Sequence, residues 1–134
     1  MAAARLRWEG GASWEETEAY DQMLRLITQT GKSVDGCRSL DEVVRRYERL
    51  DAVFEQVRED RRLRSRSELP LPDRGFREVG GVYVHLGRSG QPIFGGGGFH
   101  RLAIARVLEL PEIPAQLGVV HEELLRRGSV RPVL

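Results

Sequence analysis

The chain has 134 residues, 40% hydrophobic and 31% charged, with a net charge of +1. That size and balance suit a soluble globular protein with a modest core, working as one domain. No apolar run approaches a bilayer-spanning length, the opening Met1-Ala2-Ala3-Ala4-Arg5-Leu6-Arg7 lacks a secretory signal's apolar core, and Cys37 is alone, so a cytoplasmic protein with no membrane partner and no intrachain disulfide is expected.

The small net charge hides an asymmetry: residues 1–60 sum to −4 and residues 61–134 to +5. In chain order, Ser13-Trp14-Glu15-Glu16 reads as a capping box and predicts a helix that carries Trp14, Tyr20, Met23, Leu24 and Ile27 and stops at Gly31. Thr30-Gly31-Lys32-Ser33 looks like the tail of a phosphate-binding P-loop, but Leu26 stands where the motif needs a glycine, so a helix C-cap is the better reading. Ser39-Leu40-Asp41-Glu42 repeats the capping pattern, and Leu40, Val43, Val44, Tyr47, Leu50, Phe54 and Val57 mark one face of a second helix ending near Asp60. Arg61-Arg62-Leu63-Arg64-Ser65-Arg66 and Leu69-Pro70-Leu71-Pro72 then make a basic, proline-rich connector.

From Gly80 the period becomes alternating, with Val82, Val84 and Leu86 on one side and Tyr83 and His85 on the other. Arg88-Ser89-Gly90-Gln91 predicts a turn and Pro92-Ile93-Phe94 the returning strand of a hairpin. A buried apolar helix is expected from Leu102 to Leu110, then a strand over residues 115–121 and a last helical turn or two closed by Gly128. Between hairpin and helix lies Phe94-Gly95-Gly96-Gly97-Gly98-Phe99-His100-Arg101. Glycines admit positive φ and close backbone approach, the first helical amides have no intrahelical partner, and Arg offers a planar fork of donors. This is the chemistry of an oxyanion site.

These parts, in this order, resemble the ParB/sulfiredoxin superfamily. The resemblance rests on Val82-Tyr83-Val84-His85-Leu86, Gly87-Arg88-Ser89-Gly90, the loop ending in His100-Arg101, Leu102-Ala103-Ile104-Ala105, and the strand entered through Ile113-Pro114-Ala115. It implies an α+β fold, a small mixed sheet packed on helices (residues 61–134), preceded by an N-terminal helical extension (residues 1–60) of the sort found in uncharacterised archaeal and phage members. It also implies that Gly96, Gly97, Gly98, His100 and Arg101 cradle the phosphates of a nucleoside triphosphate or diphosphate of ATP or CTP type, with Mg²⁺ as a companion ion. Phe99 stands where sulfiredoxin has its nucleophilic cysteine, so sulfinic acid reduction is not expected, and Gly97 stands where the serine-kinase members have an Asp, which weakens the carry-over of kinase chemistry. DNA partition is not expected of a chain with no room for a helix-turn-helix after this domain.

His100 is the candidate general acid or base, and Glu68, Asp73, Glu78 and Glu112 are the candidate carboxylates for phosphoryl transfer. His85, His100 and His121 are expected at separate surface or loop positions rather than around a shared metal. The expectation is thus a nucleotide- or phosphate-ligand-binding protein, with hydrolysis or phosphoryl transfer left open. The alternative is a nucleic-acid-binding or nuclease-like module that uses the connector with Arg101, Arg106, Arg126 and Arg127. Oligomeric state is left open.

Overall fold

The structure is a computed structural model, described here for residues 1–65, 68 and 82–128. Asp73, Glu78, Arg66 and the prolines of the connector lie outside the described residues. The α+β class holds: among the described residues five helices accompany a three-stranded mixed sheet. The chain divides into two compact units between Arg61 and Arg62, with residues 106–109 counting with the first. Among the described residues no helix is long and apolar enough to cross a membrane.

The first unit holds α1 (Ala2–Trp8), α2 (Ala19–Thr30) and α3 (Leu40–Asp60). Helix α1 was not foreseen, although a run of three alanines with Arg and Leu is composed of strong helix formers. The capping box forms as expected, the Ser13 amide donating to Glu16 Oε2 at 2.7 Å and the Glu16 amide to Ser13 Oγ at 3.2 Å. Its helix does not continue. Residues 14–18 make a turn, Glu18 takes φ +61°, and α2 starts only at Ala19. At the far end Gly31 supplies the left-handed C-cap, at φ +62°, with its amide on the Ile27 carbonyl.

A two-residue turn of Asp35 and Gly36, both at positive φ, closes the Val34–Cys37 bridge and leads to α3. Ser39 caps α3 through the Glu42 amide at 3.4 Å, while the Glu42 carboxylate reaches Arg38 N–H at 2.6 Å, one residue earlier than a reciprocal box requires. Trp14, Ala19, Met23, Cys37, Val43 and Tyr47 form the core of this unit. The Trp8 ring stacks on Phe54 at 4.5 Å and meets Trp14 edge-on at 5.4 Å. Asp51 ties α1 to α3, accepting from Arg7 Nη2 at 2.7 Å and from the Trp8 indole at 2.8 Å.

In the second unit, β1 (Val82–Leu86) and β2 (Pro92–Phe94) form the hairpin, α4 (Phe99–Val107) crosses over, β3 (Ala115–Val120) follows, and α5 (Glu122–Arg126) is the last described element. Sheet order is β2-β1-β3, antiparallel on one side and parallel on the other. A parallel neighbour needs a crossover, and α4 supplies it. Gly90 at φ +85° turns the hairpin. Leu63, Val82, Ala103, Ile104, Ala105 and Leu124 are the buried apolar residues of this unit, Ile104 and Val82 almost completely so.

Candidate functional site

The hairpin ladder runs one step past β2. The Gly95 amide donates to the Tyr83 carbonyl at 2.7 Å and the Tyr83 amide to the Gly97 carbonyl at 3.0 Å. Gly96 and Gly98 then take φ +89° and +77°, which side chains with a Cβ rarely adopt. The Gly98 carbonyl accepts the Leu102 amide at 3.0 Å and so opens α4. Between these anchors, the amides of Gly96, Gly97, Gly98 and Phe99 have no hydrogen-bond acceptor among the described residues. The positive end of the α4 dipole adds to them.

His100 is half-buried on the first turn of α4, its ring edge-on to Phe99 at 5.9 Å. Phe99 in turn meets Phe94 at 6.3 Å, and both phenyl rings are exposed beside the loop. Arg101 is employed differently from the other four predicted residues. Its Nη2 donates to the Arg64 carbonyl at 2.5 Å, and its Nη1 is buried without a partner among the described residues. The guanidinium thus holds the backbone of residue 64 to the start of α4.

A second feature lies beside the loop. Strand alternation puts Tyr83 and His85 on one face of β1, and that face is roomy because its neighbours are glycines. A Cβ at Gly95 would come within 2.5 Å of the Tyr83 ring and 3.0 Å of His85 Nε2, and one at Gly118 within 2.6 Å of His85 Nδ1 and 2.8 Å of Tyr83. The two rings meet edge-on at 5.2 Å. The β1·β3 register slips here: Val84 pairs with Leu117 but Leu86 with Val120, so β3 carries one extra residue. Such a bulge takes a backbone group out of the ladder. The displaced Val119 amide donates to His85 Nδ1 at 2.8 Å. Alternation in the sequence foretold that Tyr83 and His85 share a face, whereas the reason for Gly118 became visible only with the bulge.

The remaining candidates have other occupations. His121 caps α5 through the Glu123 amide at 3.2 Å, and among the described residues no group of three or more His, Cys, Asp or Glu side chains could hold a metal ion. Arg126 and Arg127 pair with Glu122 and Glu123 one turn back. Thr30 Oγ1 back-bonds to the Leu26 carbonyl at 2.8 Å, in keeping with a helix end. Cys37 is buried, and that burial raises its thiol pKa, which disfavours the nucleophilic thiolate. Glu112 is exposed.

Glu68 accepts from the Ser65 amide at 2.7 Å and from Arg62 at 2.6 Å. The backbone hydrogen bond from Ser65 leads, with Arg62 adding to it, in lowering its pKa to about 2. A carboxylate held so low is a poor proton acceptor near neutrality. Its folded pKa is depressed, so its linkage contribution is present above the ordinary carboxylate pKa and is lost as pH falls through about 2. Carbon-detected NMR of the Glu68 carboxyl should show that midpoint, and Arg62→Ala should move it upward; a midpoint in the ordinary range would contradict the hydrogen-bond pattern.

Comparison of the chain with protein-family models, with curated proteins and with solved structures yields no match.

Proposed function

We propose that this protein binds a nucleotide or another phosphorylated ligand, with Mg²⁺ as companion ion, at residues 95–101, in the manner of the ParB/sulfiredoxin-like proteins that residues 82–121 resemble. The observation that carries the reading is the run of four amides, Gly96 to Phe99, that have no acceptor among the described residues, at the head of a nine-residue helix. Amides fixed in this way bind an oxyanion with little reorganisation, because the donors need not leave other partners first. His100 stands on the same turn as a second donor and as the candidate acid or base for hydrolysis or phosphoryl transfer. Arg101, anchored to residue 64, adds positive charge to that turn and keeps the helix start in place.

Calorimetry with ATP, CTP and inorganic triphosphate, each with and without Mg²⁺, tests the proposal. Gly96→Ala is the informative variant, since a Cβ there meets no atom within 4 Å and only the φ of +89° is violated. Strain of about 1 to 3 kcal/mol at such a position would shift the loop and weaken binding by about tenfold or more. Absence of binding heat for all three ligands in the unmodified protein would overturn the reading.

A further inference from the structure

Building on that anion site, we infer that His85 is one of its donors and that the β3 bulge sets the imidazole in the tautomer this role needs. Nδ1 accepts the Val119 amide at 2.8 Å, so in the neutral ring the proton resides on Nε2. That Nε2–H has no acceptor among the described residues and is not sealed from solvent. It lies 3.0 Å from where a Gly95 Cβ would stand, at the entrance of the glycine loop.

Three surroundings hold the ring in that position. Gly118 leaves the space for Nδ1 to reach the bulge, Gly95 leaves the space for Nε2, and Tyr83 meets the imidazole edge-on from the preceding position on the same strand face. Gly97 passes close over Tyr83 as well, its Cβ position 3.2 Å from the Tyr83 Cβ, so the loop and this face of β1 are in direct contact. The bulge therefore converts a strand histidine into a fixed donor beside the loop amides, a use of bulges that re-aims a side chain. The ligand addressed is a polyphosphate long enough to touch both the amides of residues 96–99 and Nε2.

The two ring nitrogens can be separated by substitution. His85→Asn keeps an acceptor, Oδ1, in the place of Nδ1 and leaves nothing at Nε2, while His85→Ala removes both. With inorganic triphosphate as probe, His85→Asn should melt close to the unmodified protein yet bind about tenfold more weakly, the loss of one hydrogen bond to a charged group. His85→Ala should lose stability and affinity together. Unchanged triphosphate affinity in His85→Asn would overturn the role of Nε2 and leave the loop reading standing, whereas no binding by the unmodified protein would remove the loop reading itself. Should His85→Asn fail to fold, ¹⁵N NMR of the unmodified protein decides: the His85 Nε2 signal shifts on triphosphate addition if it donates, and stays put if the inference is wrong.

Discussion

Ile104→Ala is expected to cost about 2 to 5 kcal/mol of folding stability, the range for deleting most of a buried branched side chain. Ile104 has no exposed surface and sits in the middle of α4, so its truncation leaves a gap inside the core. The same helix fixes the glycine loop, because the Gly98 carbonyl receives its first intrahelical bond. Loop order should therefore fall with stability, and exchange of the Leu102 amide, bonded to the Gly98 carbonyl, should quicken. Ile104→Val, which removes a single methylene, should cost only about 0.5 to 1.5 kcal/mol. Urea unfolding followed by circular dichroism would measure both. A loss below 1 kcal/mol for the alanine variant would mean that the surroundings collapse onto the gap.

In the first unit, Trp14→Ala should cost about 3 to 5 kcal/mol, while Trp14→Phe should be far milder. The indole is 5% exposed, faces Tyr47 at 4.7 Å and Trp8 at 5.4 Å, and belongs to the buried cluster. Its Nε1 is buried with no acceptor among the described residues. An unpaired buried donor forfeits about 1 to 3 kcal/mol of hydration, and phenylalanine returns that while keeping an aromatic ring at the site. Equal destabilisation by the two substitutions would show that ring size, and not the stranded N–H, decides the position.

Much of this architecture is legible in the residues, for reasons that are local. Gly31 ends α2 and Ser39 begins α3 because caps satisfy backbone groups only a few residues away. The hairpin and the glycine loop are marked by residues whose allowed φ is nearly their whole message. What the residues do not announce falls outside such local rules. Ser13 and Glu16 make their box, yet Glu18 at φ +61° stops the helix, and nothing at positions 13–18 announces that. Arg101 is marked by its place after the glycines, but that place does not reveal that its Nη2 also donates to a carbonyl 37 residues earlier. Likewise the task of Gly118 depends on His85 and on a register slip between strands joined through a helix.

The imidazole slot also bears on how this sequence can drift. Positions 95 and 118 are closed to larger residues by the rings at positions 83 and 85, and position 95 also by the Tyr83 carbonyl at 3.1 Å. A lineage that exchanged His85 alone would still find Tyr83 within 2.5 Å of a Cβ at 95 and 2.8 Å of one at 118, so both rings must shrink before either glycine can grow. Substitutions at 83, 85, 95 and 118 should accordingly travel together, with the changes at 83 and 85 coming first.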